Sequence, residues 1–179
     1  MAIKTITLHA GHNKAGCIAC GASDYLDEST EARLLVKRMK AIKGKGKIID
    51  CTVNNGTSQS DVLRKIVAKC NAANRELDVS IHFNACKHDR KDGKVKGAEV
   101  CVYNTNGAAA PIAKKVLANL EKLGFTNRGV VERRNLAVLK TNKPAMLIEV
   151  CFVDDYDDAA LYKKKKAQVA KAIYNAIFN

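Results

Sequence analysis

Short apolar runs of strand length alternate along this chain with longer segments whose apolar residues recur every three or four positions, and this alternation limits the possible folds. Ile3–Leu8 reads as a strand, and a loop bearing Gly, Cys and Ser follows to about Asp27. From Glu28 to Ile42 the period is helical, with Ala32, Leu35, Met39 and Ile42 on one stripe. A strand at Lys47–Val53 leads to Ser58-Gln-Ser-Asp61, a capping-box-like helix start. The helix beyond it carries Val62, Leu63, Ile66, Val67 and Cys70 on one side. Strands are predicted again at Val79–Ala85 and Gly97–Tyr103. Pro111 opens a helix with Ile112, Val116, Leu120 and Leu123 inward, and Gly124 ends it. Two short apolar runs, Leu136–Leu139 and Ala145–Val153, precede a last helix from about Asp157. The order predicts an α/β fold: a single twisted, mainly parallel or mixed sheet with helices on both faces. With 179 residues, no repeat and no low-complexity linker, one domain over 1–179 is expected.

No stretch approaches the ~20 apolar residues of a spanning helix, so no membrane span is expected, and Met1-Ala-Ile-Lys4 lacks the features of a signal peptide. Seven cysteines, an odd number scattered through apolar runs, point to reduced thiols acting as small hydrophobes. Cys17-Ile-Ala-Cys20 is a CxxC, but a Cys-rich zinc knuckle needs a second pair and the chain has none, which favours a structural loop over redox or metal chemistry. The net charge is +13 and clustered: Arg33–Lys47 holds seven basic residues and no acidic one, and Lys163–Lys166 is an unbroken run. Such a surface attracts polyanions or simply keeps helix faces solvated. Nucleic acid is not expected as a partner, because no aromatic stacking platform or helix-turn-helix pattern accompanies the charge.

In Val79-Ser-Ile-His-Phe-Asn-Ala85, alternation puts Ser80, His82 and Asn84 on one strand face. His12, after Gly11, lies just past the end of the first strand, the edge where open α/β sheets place their sites, whereas His9 sits nearer the strand and could be packed. Two histidines and a carboxylate would leave zinc an open position for water. Glu28 and Glu31 compete for that role. At 100° per residue the buried stripe falls within about 40° of Glu28, while Glu31 lies about 60° aside, near Arg38, and is expected to pair with solvent or a basic neighbour. Glu149 interrupts the apolar run Met146–Val153. Buried glutamates are uncommon unless paired, so it is either a base with a raised pKa or half of an ion pair with an arginine such as Arg134.

Gly11-His12, Glu28, Ser80-Ile-His82-Phe-Asn84-Ala85, Lys96-Gly-Ala-Glu99-Val100, Arg134-Asn-Leu-Ala-Val-Leu139 and Pro144-Ala-Met-Leu-Ile-Glu149-Val-Cys-Phe152 resemble, in this order, the zinc-dependent N-acetylmuramoyl-L-alanine amidases of bacterial autolysins and phage endolysins. The resemblance implies one catalytic Zn2+ held by His12, Glu28 and His82, with Glu149 as the catalytic carboxylate. It implies Asn84 and Arg134 as groups that orient substrate or stabilise the oxyanion, and it resolves the choice between histidines in favour of His12. His9 stands where many relatives have aspartate, Asn13-Lys14 where they have two glycines, and Cys151 where glycine is frequent. His88, in the charged loop, is expected at the surface.

The reaction implied is hydrolysis of the amide between N-acetylmuramic acid and the L-alanine of the stem peptide in peptidoglycan. Two alternatives stand beside it: a non-catalytic peptidoglycan binder, and a zinc peptidase cutting elsewhere in the stem. The expected protein is a monomeric catalytic domain without a separate wall-binding module. It would be made in the cytoplasm, act on the wall after release through a pore or at lysis, and use its basic surface on anionic wall polymers.

Overall fold

The computed structural model describes residues 3–179. In chain order its elements are β1 (Thr5–Ala10), α1 (Glu28–Lys40), β2 (Lys47–Asp50), α2 (Gln59–Ala72), β3 (Leu77–Asn84), β4 (Ala98–Val102), α3 (Ala110–Glu121), β5 (Asn127–Glu132), β6 (Ala145–Phe152) and α4 (Tyr156–Phe178). The six strands form one sheet in the order β2-β1-β3-β6-β4-β5. The first four of that order run parallel, β4 is antiparallel to β6, and β5 is parallel to β4. The carboxyl ends of β1, β3 and β6 therefore meet on one edge, between helices that cover both faces.

Local chemistry explains the helix starts. Asp27, Ser58 and Asp155 cap α1, α2 and α4, accepting from Thr30 N at 2.7 Å, Asp61 N at 3.1 Å and Asp158 N at 2.8 Å. The apolar stripes of α1, α3 and α4 pack on one sheet face, against Ile6, Leu8, Val79, Ile81, Val100 and Ile148. The other face is covered more narrowly by α2 and a 3-10 turn at Ala137–Leu139, over Cys51, Val62, Ile66 and Leu147. Glu99, His82 and Glu149 on that face stay half-buried, so it is open near the carboxyl edge.

Three features go beyond the sequence pattern or depart from it. The short apolar run Leu136–Leu139 forms the 3-10 turn, its residues bending over the sheet instead of pairing with it. β5 carries no apolar alternation: its sequence, Asn-Arg-Gly-Val-Val-Glu, belongs to an exposed edge strand. β2 stops at Asp50, whose carboxylate bonds Thr52 N and Lys40 Nζ and bends the chain away.

Gly97 enters β4 with φ +91, and a Cβ there would collide with the Thr126 backbone. Its N–H also donates to the buried Asp158 carboxylate. Gly97→Ala is therefore expected to destabilise the domain by about 2 kcal/mol or more, read as a lower midpoint in denaturant unfolding.

Candidate metal centre

Three elements converge at the carboxyl edge of the sheet. His12 follows the end of β1, Glu28 opens α1, and His82 is on β3. Glu28 Oε1 lies 3.3 Å from His12 Nε2 and 3.0 Å from His82 Nδ1, and the two rings meet edge to face at 4.9 Å between centroids. The ligand-capable atoms of all three lie within 4.8 Å of one another, the one such group among the described residues.

The chain makes room for this. A Cβ on Gly11 would run into the His82 ring, and one on Gly21 would run into the Glu28 carboxylate. His12 adopts φ 61, a left-handed conformation uncommon outside glycine and one that stores strain. Arg33 holds it, its guanidinium donating to His12 O at 3.1 Å, Val53 O at 2.8 Å and Ser29 O at 2.9 Å. Asn13 is buried, and its amide donates to Gly56 O at 2.8 Å and Ile18 O at 3.0 Å. Neither role was legible in the sequence, where Arg33 is one of seven basic residues in a run and Asn13 is a departure from a glycine.

Glu28 is only 3% exposed. Burial raises its pKa, but hydrogen bonds from His12 and His82 outweigh that and hold the carboxyl well below the usual carboxylate range. Phe83 N and Ala22 N add donors at 3.1 and 3.0 Å. Burial lowers the pKa of His82, partly offset by Glu28, so its ring leans towards the neutral form that ligates metal. Two imidazoles and one carboxylate with an open side form a donor set that suits zinc.

Glu149 on β6 is in register with His82, and its Oε2 is buried without a hydrogen-bond partner. Burial, then Glu28 and Glu99, push its pKa up from 4.5 to about 8. The ion pair with Arg134 does not form. Arg134 instead bonds Glu132 at 2.8 Å and stacks over Tyr103. Tyr103 is four residues beyond Glu99, the residue opposite Glu149, hence about 13 Å along the strand at ~3.3 Å per residue. The structure thus does not bring Arg134 to the triad. Asn84 ends β3 on His82's side, its carboxamide oxygen accepting from Ala85 N at 2.9 Å.

The other candidates separate clearly. His9 is 1% exposed, and burial followed by His82 lowers its pKa to about 4, so it is a neutral core residue. Glu31 pairs with a lysine, Lys166, at 2.7 Å, brought across from α4. His88 is exposed as expected but ordered, bonded to Asp24 at 2.7 Å and stacked on Tyr25. All seven cysteines are free; Cys20 and Cys86 are exposed rather than buried. Cys17 and Cys20 sit in one tight turn, with Cys20 N bonded to Cys17 O at 3.2 Å.

The fold and this constellation define an α/β domain with an open two-histidine, one-glutamate centre and a protonatable carboxylate beside it, the arrangement of single-metal hydrolases. The chain belongs to the N-acetylmuramoyl-L-alanine amidase family, whose model matches residues 6–179. It is 36% identical over 177 residues to an uncharacterized protein of Clostridium perfringens, a match covering 96% of this chain and 51% of that protein. It is 30% identical over 172 residues to the endolysin of Bacillus phage SPP1, covering 90% of this chain and 59% of the endolysin. The chain thus spans between half and three-fifths of these curated relatives. Among solved structures, the catalytic domain of the CD27L endolysin targeting Clostridia difficile superposes with TM-score 0.81 at 23% identity, covering 97% of this chain and 96% of that one. The CwlD amidase from Clostridioides difficile, solved with the GerS lipoprotein, gives TM-score 0.82 at 22% identity with the same coverage.

The raised pKa of Glu149 has a stability consequence in metal-free protein. Because the folded value of about 8 lies above the ordinary 4.5, the stabilising neutral form is fully present below 4.5 and lost as pH rises through 8. Glu149→Gln should therefore be more stable than wild type near pH 8, by on the order of 4 kcal/mol in denaturant unfolding, with the advantage vanishing near pH 4.

Proposed function

We propose that the chain hydrolyses the amide joining the lactyl group of N-acetylmuramic acid to the L-alanine of the stem peptide, using one zinc ion. The observation that carries this reading is the convergence of His12, Glu28 and His82 beside Glu149, with its unpartnered Oε2, in a member of this family.

His12, Glu28 and His82 would hold the ion. When bound, zinc supplies Lewis acidity towards the scissile carbonyl and acidifies the attacking water. Glu149 takes the water's proton and delivers it to the departing nitrogen, for which a pKa near neutrality suits both directions. Gly11 and His12, with Val62, Leu63, Ile66 and Val138, line a cleft against the centre that excludes water from one side. Arg33 and Asn13 fix the His12 loop, so binding requires little further ordering of the ligands. A binder without catalysis would gain nothing from Glu149, whose half-buried, unpaired carboxyl costs stability. Mass analysis of the products distinguishes this bond from a peptide link elsewhere in the stem.

With zinc-loaded protein and purified peptidoglycan, new L-alanine amino termini are expected. Glu149→Ala should retain zinc yet lower the rate by about 10²–10⁴-fold, and chelation should abolish release. Zinc-loaded protein that frees no amino termini from several wall types would leave the binder reading instead.

The basic surface supports affinity for anionic wall polymers. α1, α3 and α4 form one layer, on which Lys37, Lys114, Lys115, Lys163, Lys164 and Lys171 are exposed. Half of the run Lys163–Lys166 is committed internally, Lys165 to Leu123 O and Lys166 to Glu31. Binding to intact walls should fall by about tenfold or more between low and ~0.5 M salt, measured by pull-down of the Glu149→Ala variant; a salt-insensitive curve would remove the electrostatic reading.

A further inference from the structure

The row of polar side chains that starts at the triad continues past Glu149. Register sets His82 opposite Glu149 and Glu149 opposite Glu99. On β5, Asn127 faces Ala98 and Val130 faces Val100, so the bulged pair Arg128 and Gly129 stands opposite Glu99. Gly129 supplies the left-handed φ of +93, and its N–H donates to Asn127 Oδ1 at 3.1 Å, which fixes the bulge. Ala98 and Val100 point into the core, so Glu99 lies on the opposite face, that of the cleft.

A second bulge, on β6, brings Phe152 onto the same face. The step from Glu149 to Phe152 is one residue longer than the step between their partners, His82 and Asn84. The Arg128 guanidinium carbon lies 5.1 Å from the Phe152 ring centroid, with Lys96 Nζ at 5.6 Å. Lys96 is neutralised by Asp89 at 3.2 Å and Asp155 at 3.6 Å. Arg128 has no ion pair among the described residues and is oriented by the ring alone. Among the described residues Glu99 has no cation either, and its one polar contact is Cys101 Sγ at 3.7 Å.

We infer that Glu99 and Arg128 form a subsite for the departing peptide, Glu99 taking its new amino end and Arg128 its nearest carboxylate. The inference rests on the amidase reading. Hydrolysis breaks the C–N bond, adds hydroxyl to the carbonyl carbon and a proton to nitrogen, and leaves a peptide whose amino end is an ammonium at neutral pH. That product is a zwitterion. The row offers an anion one strand, ~4.8 Å, from Glu149, and an arginine rooted on the next strand whose guanidinium reaches back over the Phe152 ring, so that an anion and a cation stand on the cleft face for the two charges of such a peptide. A guanidinium also matches a carboxylate with two parallel hydrogen bonds.

The test uses zinc-loaded protein and two N-acetylmuramoyl-L-alanyl peptides that differ only in whether the carboxylate of the second residue is free or amidated. Wild type should favour the acid by about tenfold in KM, the effect of one partly exposed charge pair. Arg128→Ala should abolish the preference and Arg128→Lys should restore part of it. Glu99→Gln should weaken inhibition by a free L-alanyl peptide about tenfold while leaving the weak inhibition by its N-acetylated form unchanged. Hydrolysis of both peptides with equal KM, or a preference that survives Arg128→Ala, overturns the subsite while leaving the amidase reading intact. Hydrolysis of neither overturns both.

Discussion

The buried carboxylate of Glu28 is the constraint around which the rest of the domain is arranged. At 3% exposure a carboxylate without partners would be strongly destabilising. Here it is approached by His12 from the β1 loop, by His82 from β3, and by two backbone N–H groups, those of Phe83 and Ala22. Satisfying it therefore ties together a loop, a helix start and a strand that are far apart in sequence. Asp27 fixes the register of this knot: as the N-cap it makes Glu28 the first helical residue, where the positive end of the helix favours a carboxylate. One turn and a residue later, Arg33 on the same helix reaches back to the carbonyl of His12. α1 thus supplies one member of the triad and restrains the strained backbone of another.

The sheet topology accounts for what lies beyond the triad. Parallel β1, β3 and β6 bring their carboxyl ends to one edge, which positions His12, His82 and Glu149 without any contribution from loop length. The reversal at β4 then matters for a different reason. Because β4 runs antiparallel to β6, Glu99 faces Glu149 directly, and its neighbour β5 brings an edge strand with a bulge into line with them. An open cleft face is possible because α2 and the 3-10 turn cover only part of it, whereas three helices seal the other face.

The parts of this arrangement that were legible in the sequence are those with a period. The alternation of strands and helices, the inward direction of Glu28 and the pairing of His82 with Asn84 on one strand face all follow from spacings of 2.0 and 3.6 residues. β5 was not legible, since Asn127–Glu132 at the sheet edge buries too little to need apolar alternation. Arg134 and Arg128 show the limit most clearly. Their order in sequence says nothing about which one lies beside the site. That is decided by one extra residue in β5 and by the direction of β4, which carries Tyr103 and the Arg134 stacked on it away from the carboxyl edge. Arg33 and Asn13 were missed for a related reason: their partners are backbone carbonyls of other segments, which leave no signature in residue type.

The exposed lysines of α1, α3 and α4 sit on the side of the sheet away from the cleft, and their placement has a physical consequence. A net charge of +13 acts to depress the pKa of every carboxyl in the chain. Glu149 is instead pushed up, by burial first and then by Glu28 and Glu99, with no lysine or arginine contributing. The reason is distance. The exposed lysines of α1, α3 and α4 lie behind the sheet, and a packed layer of ~10 Å is comparable to the Debye length of about 8–10 Å in physiological salt. Surface charge can therefore draw a polyanion towards the molecule while the chemistry in the cleft is governed by the carboxylates within it. Two cations on the sheet side of the cleft are also occupied elsewhere: Lys96 is held by Asp89 and Asp155, and the Arg128 guanidinium lies over the Phe152 ring. A lysine placed directly against Glu149 would pull its pKa back down and remove the protonation behaviour that the proposed base role needs.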